Sequence, residues 1–345
     1  MNLVFIKLLK GKLYRWKNYC NISSFTKTPP WNVLFFGADE FSIYSLKALH
    51  SEYLKKTVLN KLEVVTTIKG KWNPVRKYAN EHKICVHSWP NQVPKNEFDL
   101  GLVVSFGHLI PEAIITQFPF GMLNVHASLL PRWRGAAPII YALANGDKET
   151  GVTIMRIRPK HFDTGEIISQ IKIPISNEMK FPELHKILGE LGAQCLIKTI
   201  YDLPENLHQA RLQPQDGVTY APKVTSDFAV VRWDELSSSQ IYNLDRAMSG
   251  LFPLTTSWEG IPLKLIGIRE SAFSESAFGD IDETFLKPGF LSYNKRSKTL
   301  KVVCAMRTCV SVEKIGVFGK RIMTGSEFCI GYCIHKLPPD KRYFK

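Results

Sequence analysis

The chain has 345 residues, of which 45% are hydrophobic and 22% charged, and it carries a formal net charge of +14. That length is enough to bury a full core and to divide into about two domains. No apolar run approaches the ~18 to 20 residues needed to span a bilayer, which argues against a membrane protein.

The charge sits at the two ends. The first 30 residues hold Lys7, Lys10, Lys12, Arg15, Lys17 and Lys27 with no acid, and from Lys287 onward thirteen Lys or Arg face only Glu313, Glu327 and Asp340. The middle is left at −2. A first segment that mixes Leu, Ile and Phe with basic and hydroxyl residues has the composition of a mitochondrial transit peptide, expected over residues 1–30. The seven cysteines form no Cys-x-x-Cys pair, so neither a disulfide framework nor a zinc site is indicated. Cys329 and Cys333 are four apart, but Gly331 between them disfavours a helical face, and both read as reduced structural thiols.

After the tail, Asn32–Phe36 (NVLFF) reads as a short strand ending at Gly37, and Phe41–Leu49 recurs at helical spacing. The alternation continues with Leu62–Thr67, a helix over Val75–Glu81, Asp99–Ser105, and a helix opened by Pro111. Such repeated units predict an α/β domain, a parallel sheet covered on both faces. Gly37-Ala38-Asp39 lacks the three glycines of a dinucleotide fingerprint, so the expectation is a Rossmann-like sheet that holds no nucleotide. Phe181–Tyr201 fits one amphipathic helix, the last of a domain expected over 31–210. Residues 211–226 (RLQPQDGVTYAPKVTS) lose periodicity and predict a linker. From 227 to 345, a helix over Ser239–Met248 leads into short β-rich segments, Pro262–Ile268, Lys301–Cys304 and Thr308–Val312, which fit a small β-barrel.

The chemistry gathers in LNVHASLLPRWRGAAPII, residues 123–140. Along a strand, Asn124 and His126 share a face, and the carboxyl ends of parallel strands are where ligands bind. A carboxamide can donate to a developing oxyanion, and an imidazole can exchange a proton near neutral pH. The remaining need is a carboxylate that orients and charges the imidazole. Asp163 in HFDTGEI is the candidate, with Asp147, Glu149 and Glu166 as competitors that spacing alone does not eliminate.

The run NVHASLLPRWRGAAPI, the following GDKETGVTIM and then FDTGEI closely resemble the formyltransferases that use 10-formyltetrahydrofolate. PRWRGAAPI with PQDGVTYAPK resembles the branch of that family acting on methionyl-tRNA. The resemblance covers about residues 31–265. It implies a catalytic set of Asn124, His126 and Asp163, because the family's Asn-x-His and Asp-x-Gly motifs fall on those positions. It places folate contacts at Ser128, Leu129, Leu130 and Pro131, with a pterin-side loop at Gly107, Leu109 and Ile110. It implies no metal, a soluble folate as cosubstrate, a monomer, and an OB-like fold for the terminal barrel.

The acceptor is the open choice. The basic end favours an initiator methionyl-tRNA, since Lys and Arg contacts to phosphate supply most nucleic-acid affinity. Lys295, Arg296 and Lys298 form its densest cluster. A second basic loop places Lys69, Lys71 and Arg76 beside Trp72, which could stack on an exposed terminal base. The matching loop of the bacterial relatives is longer and more basic. The competing readings are a small amine acceptor, glycinamide ribonucleotide or an amino sugar, and a non-catalytic tRNA-binding protein.

Overall fold

The computed structural model describes residues 27–345 apart from 69, 71, 275–280 and 295–298. All but the last positions of the expected transit segment therefore lie outside the described residues. So do Lys69, Lys71, Lys295, Arg296 and Lys298.

The first elements in chain order are β1 (Trp31–Gly37), α1 (Glu40–Lys55), β2 (Leu59–Thr66), α2 (Pro74–Glu81), β3 (Val86–Ser88) and β4 (Leu100–Val104). A single helical turn, α3 (Glu112–Ile115), precedes β5 (Met122–His126), α4 (Pro138–Ala144), β6 (Glu149–Arg156), β7 (Ile167–Pro174) and α5 (Phe181–Tyr201). The remainder comprises α6 (Glu205–His208), α7 (Ser238–Met248), β8 (Leu254–Trp258), β9 (Ile261–Ser271), β10 (Leu291–Asn294), β11 (Thr299–Cys304), β12 (Thr308–Val317), β13 (Met323–Thr324) and α8 (Gly325–Gly331).

The strands of the first sheet form where apolar runs must be covered on both faces. In β1, Val33, Leu34, Phe35 and Phe36 are all fully buried. α1 starts at Asp39, whose side chain accepts from the Ser42 amide while the Ser42 hydroxyl accepts from the Asp39 amide, a capping box that fixes the strand-to-helix turn. The sheet runs β3-β2-β1-β4-β5-β6-β7.

Five of these strands are parallel, as expected, but β6 is antiparallel to β5 and β7 to β6. Between β6 and β7 the reason is connection length. Residues 157–166 alone join β6 to β7, fewer than the dozen or so that a parallel crossover takes. They form instead a loop that carries Asp163.

Two compact units divide the chain differently from the sequence expectation. One holds residues up to Pro138 with Glu149–Pro174 and His185–Pro222; the other holds Ile139–Lys148, Ile175–Leu184 and Lys223–Lys345. The two early segments join the second unit through Arg246, which is 3% exposed and donates to the carbonyls of Leu143, Ser176 and Met179. A buried guanidinium needs such acceptors, and backbone carbonyls supply them.

The expected linker at 211–226 is likewise not a free connection over most of its length. Arg211 exchanges backbone hydrogen bonds with Ile167, and Arg134 does so with Thr219 and Ala221. Residues 211–222 are thus a strap on the first unit, and the chain leaves it at Pro222.

The second unit contains an antiparallel sheet ordered β10-β11-β12-β9-β8, with β13 paired to β12. Its two outer strands are tied by the last residues of the chain. The Leu291 amide donates to Arg342 O and the Phe344 amide to Gly289 O, while Lys345 and Ser257 exchange both backbone bonds. Bridging the outer strands removes exposed edges in the way a small barrel does, in keeping with the OB-like expectation. Phe344, 3% exposed, anchors this closure with its ring centroid 5.8 Å from Trp233 and 6.3 Å from Phe328.

Candidate active site

β5 lies inside the first sheet, paired with β4 through Val103↔Asn124 and with β6 through His126↔Thr153. Strand alternation puts Asn124 and His126 on one face, and both approach Asp163. Asn124 Nδ2 is 3.4 Å from Asp163 Oδ1, and His126 Nδ1 is 3.7 Å from the same oxygen. The first is a long hydrogen bond; the second is an ion-pair distance rather than a hydrogen bond. His126 is 5% and Asp163 8% exposed, so water screens the interaction between them little.

The imidazole is oriented from its other side. Nε2 lies 2.9 Å from the Trp133 carbonyl, which can only accept, so the network puts a proton on Nε2. Nδ1 is left to face the carboxylate.

Asp163 is held at both its side chain and its backbone. The Gly135 amide donates to Oδ2 at 2.8 Å, and the Gln213 side-chain amide donates to Asp163 O at 2.9 Å and to Gly165 O at 2.8 Å. Arg134 in turn donates to Gln213 Oε1 through Nε at 3.1 Å and Nη2 at 2.6 Å. The loops close tightly enough to require glycine at two points. A Cβ on Gly165 would lie 1.6 Å from Arg156 O, and Gly135, at φ +125°, would meet Ala221 O at 2.5 Å.

Of the competing acids, Glu149 pairs with Lys172 and Glu166 with Arg158. Arg158 beside it holds the Glu166 carboxyl below its ordinary range despite burial. Asp163 is the acid found with His126.

The residues expected around folate divide by environment. Ser128 is fully buried, and its hydroxyl donates to Arg132 O at 2.6 Å. Leu130 packs with Met155 and Ile167, and its backbone is anchored by Thr153 and Gln170. Ile110 is buried and belongs to the core cluster that includes Phe36, Phe106 and Phe118. Leu129 and Pro131 are half-buried, while Gly107 and Leu109 are exposed, Leu109 by 50%. In the basic loop, Trp72 is 59% exposed with the Arg76 guanidinium 4.4 Å from its ring centre.

Gln213, Thr219 and Thr153 were not singled out from the sequence. Thr219 Oγ1 accepts from the Trp133 amide at 2.8 Å, and Thr153 Oγ1 donates to Ser128 O at 2.7 Å. The first two sit in the polar stretch that reads as a linker. Thr219 lies within the motif PQDGVTYAPK, and Gln213 stands immediately before it.

Two family models match the chain, formyl transferase over residues 45–200 and formyl transferase, C-terminal domain, over residues 223–333. The second begins where the strap ends. The chain is 41% identical over 317 residues, 91% of its length and 80% of the relative's, to a Homo sapiens protein named methionyl-tRNA formyltransferase, mitochondrial. It is 32% identical to a Clostridium perfringens methionyl-tRNA formyltransferase over 90% of this chain and 94% of that one. Among solved structures it resembles a sugar 3N-formyl transferase crystallised with dTDP and 5-N-formyl-THF, with a TM-score of 0.59, 18% identity, and coverage of 85% of this chain and 100% of that one. That likeness speaks to the fold. Matched along both units and at these identities, the chain belongs to the methionyl-tRNA formyltransferase family of the formyl transferases.

Proposed function

We propose that this protein transfers the formyl group of 10-formyltetrahydrofolate to the α-amine of initiator methionyl-tRNA in mitochondria, giving N-formylmethionyl-tRNA for translation initiation. The observation that carries the chemistry is the convergence of Asn124, His126 and Asp163. The acceptor and the compartment follow from relatives that bear the name mitochondrial methionyl-tRNA formyltransferase.

In this reading the amine, as free base, attacks the formyl carbon and a carbon–nitrogen bond forms. The carbonyl oxygen becomes an oxyanion. Asn124 has two amide hydrogens, one directed at Asp163, which leaves the other for that oxygen. The imidazolium form of His126 adds a second positive partner through Nδ1, and Asp163 stabilises that charge at 3.7 Å. As the tetrahedral centre collapses, the bond to the folate nitrogen breaks, and that nitrogen takes a proton through His126. The proton lost by the new ammonium returns to the imidazole by way of water. The balance closes without a metal or redox partner.

For the cosubstrate, the exposed Leu109 and the half-buried Leu129 and Pro131 are the apolar groups of the expected contact segments that remain accessible. Trp72 with Arg76 supplies an aromatic face and a cation suited to an unpaired tRNA end.

The test is a formyl-transfer assay with purified protein, 10-formyltetrahydrofolate and methionyl-tRNA, run beside glycinamide ribonucleotide and an amino-sugar nucleotide. Transfer to methionyl-tRNA is expected at a rate far above either small acceptor. Transfer only to a small amine, or to none, overturns the reading.

A further inference from the structure

β3 is three residues long, lies at the outer end of the first sheet, and pairs with β2 through Val64↔Val86, Val65↔His87 and Thr66↔Ser88. That register brings Cys85 and His87, two apart and so on one face, beside Glu63 of β2. His87 Nε2 is 2.5 Å from Glu63 Oε2 and 3.7 Å from Cys85 Sγ. A thiol, an imidazole and a carboxylate thus each place a ligand atom within 4.8 Å of the others. Glu63 and His87 are half-buried, and Cys85 is open to solvent.

We propose that Glu63, Cys85 and His87 form a binding site for a zinc ion, separate from the formyl-transfer chemistry. Tetrahedral zinc with sulfur, nitrogen and oxygen ligands holds its donor atoms roughly 3.3 to 3.7 Å apart. The sulfur–nitrogen spacing already matches, and the Glu63–His87 contact needs to open by less than about 1 Å. The exposed side of Cys85 leaves room for water as a fourth ligand. The donor set is selective: thiolate and imidazole suit zinc and its borderline neighbours and not magnesium or calcium.

Charge permits the same outcome. Lys61 Nζ lies 3.1 Å from Glu63 Oε1, on the other carboxylate oxygen from the cluster, and has a second acid in Glu97 at 2.9 Å. An ion at Oε2 therefore leaves the ammonium paired. Zinc takes Glu63 as carboxylate, Cys85 as thiolate and His87 as neutral imidazole, so two ligand charges meet its own two. In the sheet order β3 lies four strands from β5, roughly 19 Å at the usual strand spacing, out of reach of His126. What the ion does locally is clamp the short strand β3 to its neighbour β2.

The experiment uses the full chain, stripped with a chelator and titrated with Zn²⁺ against a chromophoric zinc indicator, and in parallel with Co²⁺. One Zn²⁺ per chain is expected. Cys85→Ser and His87→Gln should each weaken it about tenfold or more. The Co²⁺ form should show a sulfur-to-metal charge-transfer band that Cys85→Ser abolishes and that Cys20→Ser and Cys333→Ser retain. Zn²⁺ should raise the melting temperature of the wild type and not of Cys85→Ser, with circular dichroism verifying that the variants fold. Formyl transfer by Cys85→Ser should equal the wild type. Absence of bound Zn²⁺, binding that neither substitution weakens, or loss of formyl transfer in Cys85→Ser overturns the proposal.

Discussion

Gly135 and Asp163 meet through one hydrogen bond, from a backbone amide to a carboxylate oxygen at 2.8 Å, which joins the loop after β5 to the loop before β7. The bond leaves Oδ1 directed at His126 and Asn124. Replacing Asp163 by Asn changes little in shape but removes the negative charge opposite Nδ1. Formyl transfer by Asp163→Asn is expected to fall by roughly 10² or more, with folate affinity nearly kept. Single-turnover rates alongside a fluorescence titration of folate measure both, and equal losses would assign Asp163 a structural role instead. His126→Ala and Asn124→Ala should each lose a similar factor. Rates within about threefold of wild type for both would remove them from the mechanism.

Gln213 offers a test of the supporting network. Gln213→Ala leaves the carbonyls of Asp163 and Gly165 and the Arg134 guanidinium without this partner. Unsatisfied buried groups cost about 1–3 kcal/mol, so urea unfolding should show that loss. Turnover should drop with it, because the loop that carries Asp163 loses a support. A variant as stable and as active as the wild type would show that the Gln213 side chain is dispensable.

Asp245 on α7 predicts a pH dependence of stability. Burial pushes its carboxyl up to about 6, with Lys180 pulling the other way. A carboxyl raised in the fold stabilises it fully below its unfolded value, near ~3.9, and that contribution is lost as pH rises through about 6. Asp245→Asn should therefore be more stable than the wild type at pH 8, by at most about 2–3 kcal/mol, and the gain should vanish toward pH 4. Melting curves at both pH values give the comparison; a gain independent of pH would rule out the carboxyl as its source.

The thiols should separate by reactivity. Burial pushes Cys304 and Cys329 up to about 12 and raises Cys195 and Cys309 as well. Cys85 and Cys333 are exposed. Brief alkylation followed by mass spectrometry should modify Cys333 and Cys85, while the four buried thiols react only in denaturant. Native labelling of Cys304 would mean that the β11–β12 core opens readily.

For the tRNA, affinity should fall steeply with salt, each phosphate contact contributing a slope of roughly 0.7 to 0.9 in log K against log salt. Alanine at Lys295, Arg296 and Lys298 should flatten that slope by a unit or more if they touch RNA. Trp72→Ala should weaken binding by about 1–3 kcal/mol with the slope unchanged, because stacking is not ionic. Filter binding across several salt concentrations separates the two, and unchanged affinity in both variants would move the contact surface elsewhere.

The sequence carried some of this directly. Phe181–Tyr201 is helical over the whole span that its apolar spacing marks, and β1 follows its buried run closely. Strand direction was less accessible, because apolar runs such as β6 read the same in either sense. β3 escaped notice because three residues are too few to show a period. Residues 211–222 read as a linker because polar side chains without periodicity resemble a solvated loop, whereas Gln213, Thr219 and the backbone here bond to the first unit. Within the site, alternation marked Asn124 and His126, and the family motif pointed to Asp163. Nothing in the side chains announced that a backbone carbonyl at Trp133 would orient the imidazole.

The way the two units share the chain bears on how members of such a family can recombine. Because Ile139–Lys148 and Ile175–Leu184 belong with Lys223–Lys345, the polypeptide passes between units five times. A chimaera cut once at residue 223 would take Arg246 from one parent and its carbonyl acceptors at Leu143, Ser176 and Met179 from the other. Exchange of the second unit is therefore inheritable intact only if both short inserts travel with it, which ties the evolution of the two halves together more closely than a single boundary would.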